Sequence, residues 1–137
     1  MQSPLRGSDR DAQRPCDLGH RSFIDVVEQT GLIVEVGRWV LNEAVRDAAR
    51  WCASPGHEDF VIRVNLSARQ LDEPGLSSEV ADLLASAGLP PGRLCLEITE
   101  TALMRDAAVG LRVLTELRDV GVHLAVDDFG TGYSSLS

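Results

Sequence analysis

From Phe23 onward the chain changes its hydrophobic spacing every fifteen residues or so. Phe23 to Gln29 carries apolar residues at 23, 24, 26 and 27, which predicts a short amphipathic helix ending at Thr30-Gly31. A longer helix is predicted from about Glu35 to Trp51. Its apolar stripe is Val36, Val40, Ala44 and Ala48, with Trp39 and Trp51 beside it. Ser54-Pro55-Gly56 ends it. Phe60 to Leu66 is then a β-branched run short enough for a strand. A polar link leads to a helix over about Ser77 to Ala87, stopped by Gly88 and Pro90-Pro91. Leu94 to Thr99 is the second strand. Asp106 is the expected N-cap of a helix reaching Val120, and Gly121 its C-cap. Val122 to Val126 is the third strand, followed by the glycine-rich DDFGTGYSSLS.

The pattern is β-α-β-α-β, one unit about every thirty residues. Nearly continuous apolar strands alternating with helices predict an α/β fold whose parallel sheet is covered on both faces. Two architectures satisfy it, an open doubly wound sheet and a (β/α)8 TIM-like barrel. The first strand-helix turn has no G-x-G-x-x-G, which disfavours a dinucleotide-binding sheet. Residues 1–22 show no period, hold four arginines and two prolines, and read as a disordered leader.

Composition removes several classes of function. With 13 arginines, no lysine and 21 carboxylates, the net charge is −8, which disfavours a binder of nucleic acid polymers. No apolar run is long enough to span a bilayer, and the N-terminus lacks the apolar stretch of a signal peptide, so a cytoplasmic location is expected. Cys16, Cys52 and Cys95 are too scattered for a disulfide framework or a zinc site. Without lysine there is no P-loop and no Schiff base in this chain.

The candidate chemistry lies at repeated positions. Asn65, Glu97 and the pair Asp127-Asp128 close three successive strands, 32 and 30 residues apart. In a parallel barrel this places them on one rim, the C-terminal face where active sites form. Oxygen donors of this kind suit Mg²⁺ or Mn²⁺. Two adjacent aspartates can serve two ions, the arrangement that activates water against a phosphodiester. The competing reading makes Asn65 a cap for its loop, Glu97 and Glu100 a solvated strand end, and Asp127-Asp128 a turn. Asn65-Leu66-Ser67 also spells a glycosylation sequon, but it closes a buried strand. Asp128-Phe129-Gly130 spells the kinase magnesium motif, yet no lysine and no H-R-D accompany it. His20, His57 and His123 have no metal-like spacing, and His123 reads as structural or helix-facing.

Four stretches together resemble the EAL domain, the bacterial phosphodiesterase domain that linearises cyclic di-GMP in signal transduction. They are Phe23-Ile24 through Glu28-Gln29-Thr30-Gly31-Leu32-Ile33, Val64-Asn65-Leu66-Ser67, Leu96-Glu97-Ile98-Thr99-Glu100, and Asp127 through Leu136. The resemblance covers residues 23–137. It implies a (β/α)8-like barrel with Mg²⁺ or Mn²⁺ at its C-terminal rim and cyclic di-GMP as substrate. Asn65, Glu97 and Asp127 match the metal ligands, and Asp128 the aspartate shared with a second ion. Glu100 matches the glutamate that holds the glycine-rich loop and joins Asp127 and Asp128 in the catalytic set. Gly130, Thr131, Gly132, Tyr133 and Ser134 match that loop, which in the family affects catalysis and homodimer contacts.

The departures from the family pattern carry their own expectation. The glutamate-alanine-leucine signature is missing from residues 1–22, and Glu43-Ala44-Val45 sits inside a helix on the wrong side of the Phe-Ile motif. The family lysine, with a further glutamate and glutamine, would follow Ser137. The chain therefore reads as a truncated barrel of three strands and four helices, its leader the mark of a frame shift or misassigned start, and inactive alone. The alternative is a non-catalytic module that binds cyclic di-GMP or another protein.

Overall fold

The computed structural model describes residues 23, 25–27 and 29–127. The predicted leader, Cys16, His20, Asp128 and the loop residues Gly130, Thr131, Gly132, Tyr133 and Ser134 lie outside the described residues. The described positions between 23 and 29 are helical. After Gly31 comes α1 (Leu32–Cys52), then β1 (Ile62–Leu66), α2 (Ala68–Leu71) and α3 (Leu76–Ala87). A 3-10 turn, Pro91–Arg93, leads into β2 (Leu94–Thr99), followed by α4 (Glu100–Met104), α5 (Ala107–Val120) and β3 (His123–Asp127). The three strands form one parallel sheet in the order β1-β2-β3. The alternating α/β architecture is the predicted one.

Local chemistry explains the helix ends. The Asp106 carboxylate accepts from the Val109 amide and caps α5, as its position in the sequence predicts. At the other end Gly121 takes φ 101°, a left-handed conformation that stops the helix two residues before the chain re-enters the sheet at His123. A short helix, α2, takes up part of what reads in sequence as the polar link after β1, and a second, α4, starts directly after β2. Each has a hydroxyl cap, Ser67 for α2 and Thr99 for α4.

One face of the sheet makes the core. Val64, Leu66, Leu94, Leu96 and Ile98 are buried there against Leu41, Val45 and Ala48 of α1, Val80 and Leu84 of α3, and Val113 and Leu117 of α5. Among the described residues, helices cover only this face, which corrects the expectation of a sheet covered on both sides. The strands are not continuously apolar. Arg63 and Asn65, Cys95, Glu97 and Thr99, and His123, Ala125 and Asp127 alternate onto the opposite face. In a barrel that face is the interior. His123 is exposed on it, with its ring near Gly92 of the 3-10 turn.

The stripe of α1 is also rotated from its prediction. Leu41, Val45 and Ala48 point inward, whereas Val36, Trp39 and Val40 are exposed. Spacings of four and three along one line, not steps of four alone, keep a straight helix in contact with the sheet. Trp51 instead packs edge-to-face on Phe60 with ring centroids 5.1 Å apart, tying the end of α1 to the entry of β1.

Leu96 and Ile98, both fully buried on the central strand, anchor this core. Leu96→Ala is expected to destabilise the chain by about 2–5 kcal/mol. Trp39→Ala should change it by less than about 0.5 kcal/mol. Urea denaturation of the two variants checks the contrast, and equal losses would mean that the core does not lie where the sheet places it.

Candidate metal centre on the polar sheet face

Register fixes how the candidate ligands meet. Asn65 pairs with Glu97 across β1 and β2, and Thr99 pairs with Asp127 across β2 and β3. Asn65, Glu97 and Asp127 therefore share the polar face on successive rungs. Adjacent strands lie about 4.8 Å apart and two residues rise about 6.6 Å, so the Glu97 and Asp127 backbones are roughly 8 Å apart, within reach of one ion through their side chains. The ligands do not all close their strands, as the sequence reading had it. Asn65 is the fourth of five residues in β1 and Glu97 the fourth of six in β2, while Asp127 ends β3. What unites them is the face, not the strand end.

The donor set is a carboxamide and two carboxylates, all oxygen, which fits a hard divalent cation and not zinc or copper. Among the described residues no group of three His, Cys, Asp or Glu side chains could hold a metal. The set gathered on this face is of a different kind, since one of its members is an asparagine. Asp128, the predicted neighbour of Asp127, is outside the described residues.

The capping reading of Asn65 does not hold. Ser67 caps α2 instead: its hydroxyl accepts from the Gln70 amide at 3.2 Å, and the Gln70 side chain accepts from the Ser67 amide at 3.0 Å. This reciprocal box fixes the chain two residues beyond Asn65. Among the described residues, Gln70 is the buried polar one. It sits against Gly37 of α1, where an added Cβ would overlap its carboxamide. Glu97 is not a solvated strand end either. It is four-fifths buried and accepts from Arg63 Nη1 at 2.8 Å. That bond, followed by the nearness of Cys95 and the Glu97 charge, raises the pKa of the Arg63 guanidinium above its ordinary value. Glu100 opens α4 and is half-buried beside Thr99.

Sequence reading missed Arg63 as part of this face. The signal was present in Ile-Arg-Val-Asn-Leu, where residues 63 and 65 interrupt an apolar run with period two. Beside the rim a cleft of about 340 Å³ is lined by Ile33, Leu66, Ser67, Arg69, Thr99 and Arg105, among others. It brings two guanidinium groups to the C-terminal ends of β1 and β2. Arg105 also pairs with Asp72 at 3.5 Å.

A parallel sheet with helices on one face, and oxygen-bearing side chains in register on the other, is a segment of a barrel-type domain. The family description "EAL domain" matches residues 6–137, and the chain belongs to that family. It is 48% identical over 114 residues to the bifunctional diguanylate cyclase/cyclic di-GMP phosphodiesterase MucR of Pseudomonas aeruginosa, covering 83% of this chain and 16% of MucR. The structure of the MucR phosphodiesterase in complex with c-di-GMP superposes with a TM-score of 0.74 at 46% identity, covering 83% of this chain and 48% of that one. The EAL domain of Mycobacterium smegmatis DcpA superposes at 0.68 with 44% identity, covering 74% of this chain and 45% of that one. The chain thus spans about half the length of the solved domains, which agrees with the predicted partial TIM-like barrel. Among the described residues no helix is long and apolar enough to cross a membrane.

The seat of Gln70 gives a direct test. Gly37→Ala is expected to expel the Gln70 carboxamide, break the capping box and cost about 1 kcal/mol. In a Gln70→Ala background the same change should be neutral or stabilising, because alanine is the better helix former. A double-mutant cycle by urea denaturation reads the coupling, and simple additivity would mean that Gln70 does not occupy the space beside Gly37.

Proposed function

We propose that this chain supplies the metal-binding part of a cyclic di-GMP phosphodiesterase site, in which one phosphodiester of the cyclic dinucleotide is hydrolysed to give linear pGpG. The observation that carries the proposal is the register that sets Asn65 beside Glu97, and Asp127 one rung on, across a single sheet face. In this reading Asn65, Glu97 and Asp127 hold Mg²⁺ or Mn²⁺, Asp128 shares a second ion, and Glu100 fixes the glycine-rich loop Gly130 to Ser134, which also serves homodimer contacts. Bound ions supply the activation of water and the neutralisation of charge on the phosphodiester oxygens. The chain's own residues orient them: the parallel register sets the spacing of the ligands, and the Ser67–Gln70 box holds the turn that follows Asn65. Arg69 and Arg105 beside the rim suit the anionic character of a dinucleotide. The cyclic di-GMP phosphodiesterase activity of MucR motivates the choice of substrate, and the lysine that the family pattern requires is not in this chain.

The test is a calorimetric titration of the chain with Mn²⁺ and then cyclic di-GMP, with chromatography for pGpG. Uptake of Mn²⁺ that is lost in Asp127→Ala supports the assignment. In a barrel completed with the remaining strands of the MucR domain, hydrolysis is expected to appear and Asp127→Ala to abolish it. Retained turnover in that variant, or no Mn²⁺ uptake by the unaltered chain, overturns the metal reading. Cyclic di-GMP binding that needs no metal and yields no pGpG would favour a non-catalytic binding module.

A further inference from the structure

Arg63 lies on the same face as the candidate ligands, two residues before Asn65, and its register partner is Cys95. Its side chain leaves that rung and reaches diagonally to the next, where Nη1 donates to Glu97 Oε1 at 2.8 Å. Among the described residues of this face, Arg63 is the only permanent cation, and its bond engages one of the two Glu97 carboxylate oxygens. Glu97 is 20% exposed and Arg63 69% exposed, so the carboxylate sits inside the sheet surface and the guanidinium approaches it from the open side.

We infer that Arg63 is a positioning residue for Glu97: its guanidinium holds Oε1 so that Oε2 is presented towards the Asn65 and Asp127 side chains as a ligand for a divalent cation. The inference rests on the metal reading proposed above. The physical ground is that a glutamate has three rotatable bonds, and a free carboxylate must give up that freedom when it binds an ion. A fixed donor on one oxygen removes part of that loss in advance and favours ligation through the other oxygen. Carboxylates that ligate metals are in turn hydrogen-bonded, and loss of such a partner typically weakens metal affinity tenfold or more. An opposing effect is repulsion between the guanidinium and the incoming cation, which would make Arg63 a competitor for Glu97 instead of its support. The two effects have opposite signs, so one measurement separates them.

The measurement is the Mn²⁺ dissociation constant of the full chain, read by calorimetry and by the electron paramagnetic resonance signal of free aqueous Mn²⁺. Arg63→Met keeps the aliphatic stem and removes the donor. It is expected to weaken Mn²⁺ binding about 10–100-fold. Arg63→Lys keeps a donor within reach and is expected to recover part of that loss. Equal or tighter binding in Arg63→Met overturns the inference and makes the arginine a competing counter-ion. Equal losses in both variants, or a shifted urea midpoint in both, point to a packing role and also overturn it. An unaltered chain that takes up no Mn²⁺ overturns the metal reading and this inference with it, whereas uptake by that chain with no effect of Arg63→Met overturns this inference alone.

Discussion

Parallel pairing of β2 with both of its neighbours sets the position of everything else in this chain. Because side chains alternate along a strand, one register decides two surfaces at once. It sends Val64, Leu66, Leu94, Leu96 and Ile98 into the helix layer, and it lines up Asn65, Glu97 and Asp127 on the reverse. A slip of one residue would exchange the two surfaces, burying carboxylates under α1 and α5 and exposing leucines. The burial of roughly five aliphatic side chains, at about 1.5–3 kcal/mol each, therefore protects the geometry of the polar face as well as the stability of the sheet.

Much of this was legible in the sequence, and the reasons differ from element to element. Helix ends were readable because they depend on single residues: Asp106 bonds its own helix and Gly121 adopts a backbone that other residues avoid. The strands were readable as strands because they are short, apolar and evenly spaced. Their faces were misread. Val64-Asn65-Leu66 and Leu96-Glu97-Ile98 look like apolar runs with a polar interruption, yet they are period-two patterns with one polar side. Two-sided burial is the usual state of a parallel sheet, and a barrel interior lined with polar side chains departs from it. The rotation of α1 was not legible either, since Val36 and Val40 are as apolar as Leu41 and Val45, and only the position of β1 and α3 selects among them.

The support of the rim is layered. Gly37 leaves room for Gln70, Gln70 closes the box with Ser67, and Ser67 begins the helix that follows the Asn65 strand. Thr99 does the same for β2, receiving the Ala102 amide one strand over. Each strand of the described rim that continues into a helix is thus turned by a hydroxyl two residues after its proposed ligand. The same small device, repeated, lets two loops of different sequence leave the sheet at the same level.

The order β1-β2-β3 also governs how the chain comes to be folded. Each pairing joins residues about thirty positions apart, so neither can form until a long loop has closed, and the entropy of that closure is lost before any strand contact repays it. The hydrogen bonds within each helix have no such requirement, since they are local. Among the described elements, α1, α3 and α5 can therefore form before the sheet exists, and the rate is set by bringing β2 between its two neighbours. The strand that carries Glu97 is the one whose arrival completes both pairings, so the polar face and the cooperative fold appear in the same event.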